Sequence, residues 1–243
     1  MVFRYLHTLF ISLWVVVMTL IFGTATTLAS FLSKTGDFPH LIARTWARSI
    51  LFVSRVRVQV RGFSRIDPSK TYIYMPNHQS NFDIPVLLGC LCVQFRWLAK
   101  AELFKIPVLG RGMRGCGYIS IDRSNRKSAF QSLWEAARTI RDGSSVLIFP
   151  EGTRSRDGRI RPFKKGGFVL AVDSGVPIVP VVIHGTWPIM PRNRWRVDPA
   201  NVVLEIKDPI ETADYSRKTK DDLLERVRQS ICESFEKGKN DQP

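Results

Sequence analysis

From Tyr5 to Ser33 the chain carries no Asp, Glu, Lys or Arg, and Leu9 to Phe22 is almost wholly apolar. A helix of about 20 apolar residues spans a bilayer, so the stretch is long enough for a membrane anchor or span. Thr24, Thr26 and Thr27 weaken its C-terminal half. Two other readings stay open: a cleaved signal peptide, for which Leu28-Ala29-Ser30 supplies small residues, and a buried core helix. From His40 to Arg55, the residues Leu41, Ile42, Trp46, Ile50 and Leu51 interleave with Arg44, Arg48 and Arg55. This is a basic amphipathic helix of the kind that lies at a membrane interface or packs on a domain. The two helices together can form a hairpin that enters a membrane without crossing it.

Beyond residue 55 the pattern changes period. Val56 to Val60 alternates apolar and basic residues, as a half-exposed strand does. Tyr72 to Met75, Phe95 to Ala99, Tyr118 to Ile121, Ser145 to Phe149, Ile178 to Ile183 and Val202 to Ile206 read as strands. Two of them, Ser145 to Phe149 and Ile178 to Ile183, are apolar runs suited to burial on both faces. Between them Ile84 to Val93 reads as a buried helix. Ser124 can cap a helix over about 125–141, whose Ala129, Leu133, Ala136, Ala137 and Ile140 recur at helical spacing. Phe163 to Gly167 opens another helix that Gly175 stops. Thr219 caps the last one, with Asp222 at the capping-box position. Gly110, Gly112, Gly115 and Gly117 match no dinucleotide-binding fingerprint. Strands and helices in alternation predict one α/β domain over 56–243. Its central sheet is expected to be mixed and largely parallel, flanked by helices and preceded by a helical membrane motif over 1–55.

Charge sharpens this picture. The 243 residues carry 36 Lys+Arg against 21 Asp+Glu, a net +15, so an anionic partner is expected. No zinc-finger spacing or nucleic-acid motif is present, and the apolar N-terminus favours lipid and phosphate over nucleic acid. Basic residues follow the first segment at Lys34, Arg44, Arg48, Arg55 and Arg57, against Arg4 before it. By the positive-inside rule the remainder lies on the cytoplasmic side of an inner membrane. Cys90, Cys92, Cys116 and Cys232 have neither metal-ligand nor redox spacing and read as reduced core residues. With four scattered histidines, no metal is expected.

The chemistry concentrates in Asn77-His78-Gln79-Ser80-Asn81-Phe82-Asp83, a polar loop after the Tyr72 strand. Imidazole takes a proton near neutral pH, and a carboxylate beside it fixes its tautomer and stabilises the imidazolium. On a straight helix residues five apart point about 140° apart, so a dyad of His78 and Asp83 requires a bend, and Asn81 tolerates one. The alternative is that Asp83 simply caps a helix starting at Ile84-Pro85 and His78 is a satisfied loop histidine. A second charged loop, Pro150-Glu151-Gly152-Thr153-Arg154-Ser155, ends a core strand, where ligands of open α/β sheets bind.

The four blocks NHQSNFD (77–83), GYISIDR (117–123), FPEGTRS (149–155) and VPIVPV (176–181) together resemble those of the glycerolipid acyltransferases. More narrowly they resemble bacterial 1-acyl-sn-glycerol-3-phosphate acyltransferases. The second block has Tyr118-Ile119-Ser120 where that family often carries Phe before Ile-Asp-Arg. The resemblance implies that His78 is the general base for the sn-2 hydroxyl of lysophosphatidate and that Asp83 orients it. It implies an acyl-CoA or acyl-acyl carrier protein donor, no acyl-enzyme and no cofactor. Arg123 and Arg154 stand at the family's acceptor-phosphate positions, and arginine's planar fork suits phosphate. Glu151 belongs to the same block and can hold Arg154 or a substrate hydroxyl. Gly152 and Thr153 complete the binding loop, with backbone N–H groups near Gly152 as oxyanion donors. Lys105 is a further phosphate candidate or part of a solvated face, and Lys164 and Lys165 can face an acyl carrier. Anionic membrane lipids are expected partners. Another lyso-acceptor, or water in a His-Asp lipase or thioesterase, are the alternatives.

Overall fold

The computed structural model describes residues 2–122, 125–191 and 195–240. Among these residues seven strands make one sheet: β1 (Arg57–Arg61), β2 (Ile73–Pro76), β3 (Arg96–Lys100), β4 (Ile119–Ile121), β5 (Val146–Leu147), β6 (Ile178–His184) and β7 (Asn201–Ile206). Their spatial order is β1-β7-β6-β2-β5-β3-β4. From β6 to β4 every neighbour is parallel; β7 runs antiparallel to β6, and β1 runs with β7. The sheet is therefore mixed and largely parallel, as the alternation of elements predicts. Parallel strands put the C-terminal ends of β2, β5, β3, β4 and β6 on one edge, and every segment of interest below leaves from that edge.

Side chains alternate across the sheet, and Ile73, Tyr74 and Met75 of β2 divide accordingly. Tyr74 joins a cluster with Leu147, Val179 and Leu204. Helices α2 (Asp37–Val53) and α3 (Asp83–Cys90) cover it with Ala47, Ile50, Leu51, Val86 and Leu87. Ile73 and Met75 join Val146, Ile178 and Val182 on the opposite face. There α5 (Arg126–Arg141), α6 (Gly166–Ser174) and α7 (Lys220–Asn240) cover them with Ala136, Phe168, Leu170, Leu223 and Val227.

Helix α1 (Val2–Ser30) packs on α2 and on α4 (Leu109–Gly115). Over Arg4–Ser30 it is long and apolar enough to cross a membrane. Its inner side is fastened along its length. Val197 donates its backbone N–H to Thr8 at 3.2 Å, Trp46 donates to Thr19 at 3.2 Å and Trp14 donates to Ser49 at 3.3 Å. Near its C-terminal end Gly23 lies under Val108. Its outer side exposes Leu6, Leu9, Phe10, Leu13, Val16, Leu20 and Leu28. The turn from α1 to α2 is held by buried Arg96, which donates to the Thr35 carbonyl at 2.8 Å and pairs with Asp37 at 2.5 Å.

Helix α4 has no counterpart in the sequence periodicity, because glycine is a poor helix former by about 1 kcal/mol. Packing makes it. A Cβ at Gly115 would sit 2.9 Å from Ser30 Cβ, and one at Gly112 would sit 3.3 Å from the Gly23 carbonyl oxygen, so the glycines let two backbones approach. Two caps differ from expectation. Ser124 lies outside the described residues, and the cap on α5 is Asn125, whose Oδ1 accepts the Ser128 N–H. Thr219 does precede α7, but its hydroxyl accepts the Ser216 N–H and closes a turn before the helix, not a capping box with Asp222.

Candidate active site

Pro76 ends β2, and the next six residues form a tight loop before α3. Asp83 is the first helical residue, so its carboxylate is directed back over the loop. One oxygen, Oδ2, accepts from His78 Nδ1 at 2.7 Å and from the backbone N–H groups of Gln79 and Ser80 at 2.7 and 2.9 Å. The bend required between the two residues is present. Asp83 does not serve as a side-chain cap for α3; its acceptor capacity goes to the histidine and the loop. With Nδ1 donating to the carboxylate, the lone pair of His78 sits on Nε2. The His78 side chain is 14% exposed and Asp83 is fully buried, so the pair offers one imidazole edge to the outside.

The neighbouring loops fix this one. Asn77 is buried and grips β6 twice: its Oδ1 accepts the Ile183 N–H at 2.7 Å and its Nδ2 donates to the Ile183 carbonyl at 3.0 Å. Ser80 donates to the Met190 carbonyl at 3.1 Å. From the other side, Phe149-Pro150-Glu151-Gly152 forms a turn closed by the Gly152 N–H on the Phe149 carbonyl at 3.1 Å. Proline second and glycine fourth suit such a turn. Gly152 therefore spends its own N–H within the loop and does not offer it to an oxyanion. The turn swings Glu151 inward, where it is 1% exposed. Its Oε1 accepts the His78 backbone N–H at 2.6 Å and its Oε2 accepts the Arg161 N–H at 2.8 Å. Ser155 returns a bond, donating its N–H to the His78 carbonyl at 2.9 Å. Both backbone polar groups of His78 are thus held by the Glu151–Ser155 loop.

Burial pushes the Glu151 carboxyl up to about 7, with Asp83 adding to the rise and the two N–H donors opposing it. Phe149 lies flat against the His78 ring, centroids 3.8 Å apart and planes 15° apart, and Trp97 backs Phe149 at 5.6 Å. The stacked π face holds the imidazole plane.

Of the other expected residues, Arg154 is half-buried and adjoins Ser155, one residue from the contact with His78. Thr153 is exposed on the same loop, and Lys105 is exposed at the end of a short 3-10 turn (Ala101–Lys105) that follows β3. Arg123 lies outside the described residues; Asp122, just before it, follows the C-terminal end of β4. Sequence reasoning missed Phe149 as the platform under His78, Asn77 as the brace to β6, and Thr186, whose hydroxyl reaches Asp83 at 2.5 Å. Asn77 and Phe149 each stand inside or beside a polar block, a position that could have singled them out. Thr186 carries no such signal.

The family model described as Acyltransferase matches residues 57–184. The chain is 37% identical over 200 residues to the chloroplastic 1-acyl-sn-glycerol-3-phosphate acyltransferase BAT2 of Brassica napus, covering 82% of this chain and 56% of that one. It is 38% identical over 152 residues to 1-acyl-sn-glycerol-3-phosphate acyltransferase of Haemophilus influenzae, covering 62% of each. The human alpha form is 32% identical over 195 residues, covering 80% of this chain and 69% of that one. This chain thus spans between about half and two thirds of the length of these relatives. In structure it is similar to the 1-acyl-sn-glycerophosphate acyltransferase PlsC of Thermotoga maritima, with a TM-score of 0.84 at 29% identity over 98% of this chain and 97% of that one.

Proposed function

Because the chain belongs to the acyltransferase family, we propose that it esterifies the sn-2 hydroxyl of 1-acyl-sn-glycerol-3-phosphate, giving phosphatidate. The observation that carries this reading is the His78–Asp83 contact of 2.7 Å with an open imidazole edge. His78 Nε2 takes the hydroxyl proton as the oxygen attacks the thioester carbonyl, and the new C–O bond gives a tetrahedral oxyanion. Its collapse breaks the C–S bond, and the imidazolium returns the proton to the leaving thiolate. Asp83 holds the tautomer and balances the transient charge. Glu151 shapes the site through the His78 and Arg161 amides. Arg154 and Arg123 take the acceptor phosphate, with Thr153 and Lys105 as further contacts. The thioester supplies the driving force, so the reaction calls on no metal or redox cofactor. The donor is acyl-CoA or acyl-acyl carrier protein.

The same reading places the protein on the cytoplasmic face of an inner membrane. Helix α1 is about 44 Å long at 1.5 Å per residue, yet Thr8 near one end and Gly23 nearer the other both touch the body of the domain. A helix fastened along its length lies with its apolar side in one leaflet and does not cross. The test follows phosphatidate from lysophosphatidate and an acyl-CoA in membranes carrying the parent or His78→Ala. Product from the parent alone supports the reaction and the base. Full activity in His78→Ala removes the mechanism.

A further inference from the structure

Asp83 has two oxygens, and the acyl-transfer reading uses only one. Oδ2 carries His78 and two backbone amides. Oδ1 takes the hydroxyl of Thr186, which is fully buried, at 2.5 Å. Thr186 comes from the segment after β6. Gly185, at φ 85, turns the chain there, and the Ile189 N–H closes on the Thr186 carbonyl at 3.1 Å. The same segment holds the loop again at Met190 through Ser80. Threonine's branched Cβ restricts its side-chain torsion, so its hydroxyl has a fixed aim.

We infer that Thr186 is a positioning residue of the dyad, whose hydroxyl fixes the Asp83 carboxylate plane and sets how strongly Asp83 draws the His78 Nδ1 proton. The inference rests on His78 being the base. A buried carboxylate oxygen without a donor is costly, and a donor on Oδ1 spreads the charge over both oxygens. Take that donor away and the charge gathers on Oδ2. The carboxylate then becomes a stronger proton acceptor, the hydrogen bond to His78 shortens, and the imidazolium is harder to discharge to the thiolate.

The test compares Thr186→Val, which keeps the shape and loses the donor, with Thr186→Ser, which keeps the donor. Thr186→Ala stands in if the valine variant fails to fold by thermal unfolding. In Thr186→Val, kcat falls about 10- to 100-fold, the factor expected for one charge-assisted hydrogen bond, while KM stays near the parent's. The acid limb of its rate profile moves to higher pH. In the free protein in detergent, the His78 Nδ1 proton resonance moves downfield. Thr186→Ser follows the parent in all three. The inference is overturned if the valine variant keeps the parent's kcat, or if its activity falls with the acid limb and the resonance unmoved. The resonance needs no acceptor. A wrong acceptor shows as an inactive parent with the resonance still shifted in Thr186→Val; a wrong role for Thr186 shows as coincident resonances.

Discussion

Two histidine–carboxylate pairs lie on opposite sides of this sheet, built from nearly the same parts. In one, His78 meets Asp83 at 2.7 Å, Thr186 donates to the carboxylate at 2.5 Å, and Phe149 stacks on the ring. In the other, His184 lies 3.6 Å from Glu205, Ser234 donates to that carboxylate at 2.5 Å, and Phe235 stacks on the ring. The differences are in access and in where the negative charge is spent. Glu205 also meets Lys207 at 3.0 Å and Arg65 at 3.7 Å, so its charge is neutralised by fixed cations. Helix α7 closes over His184: a Cβ on Gly238 would stand 2.3 Å from His184 Nδ1. Among the described residues, Asp83 hydrogen-bonds to His78, two amides and a hydroxyl and to no such cation, and the outer edge of His78 is open. Histidine, acid, hydroxyl and aromatic ring make the proposed base at one place and a brace at the other.

The largest expected effect separates the pairs. His78→Ala loses about 10²- to 10⁴-fold in kcat, the usual contribution of a general base, with an unchanged melting temperature. His184→Asn keeps turnover within a few-fold and melts lower. The reverse pattern, measured by acyl transfer and calorimetry, would break the comparison.

Next comes Glu151→Gln, which keeps the volume but turns an amide NH2 against the N–H of His78 or Arg161. Leaving that buried N–H without its acceptor costs about 1–3 kcal/mol, and kcat falls about 10- to 100-fold. A variant with parental kcat would show that the loop holds His78 without its acid.

Gly238→Ala comes third. Its methyl group overpacks His184 and costs about 1–3 kcal/mol of stability, read as a lower denaturation midpoint with acyl transfer intact. An unchanged midpoint would mean that α7 does not seal the ring.

The smallest effect is a pH dependence. Burial holds His184 below its ordinary pKa despite Glu205 and pushes His40 down to about 3. Both groups bind protons more readily in the unfolded chain, so stability rises with pH through them. Their contribution is complete above the free-histidine value of about 6.5 and is lost as pH falls below it. Glu151 has the opposite sign, since its raised pKa of about 7 makes its contribution fade as pH rises from the free-glutamate range through neutrality. Melting temperatures from pH 7 to 5 should fall less steeply in His184→Asn than in the parent. Equal slopes would remove His184 from this account.

The sheet strands and most of the helices are legible in the chain because a period of 2 or 3.6, or an unbroken apolar run, marks each. The His–Asp loop is legible because both partners lie within one turn of chain. Helix α4 is not, since its glycines oppose the helix and only contact with α1 stabilises it. Thr186 is not, since it stands 103 residues from Asp83 and a lone threonine after a strand has no distinguishing pattern. The Glu151 clasp is half legible: the turn Phe149-Pro150-Glu151-Gly152 can be read, but not the amides its acid will meet.

Under the proposed function, helix α1, strapped lengthwise to the domain with its greasy side outward, also fixes the dimension in which the protein works. An enzyme held at constant height on a lipid sheet meets its acceptor by lateral diffusion, not from bulk water. Turnover then follows the mole fraction of lysolipid in the sheet. Adding inert lipid at a constant total amount of substrate slows it by surface dilution alone.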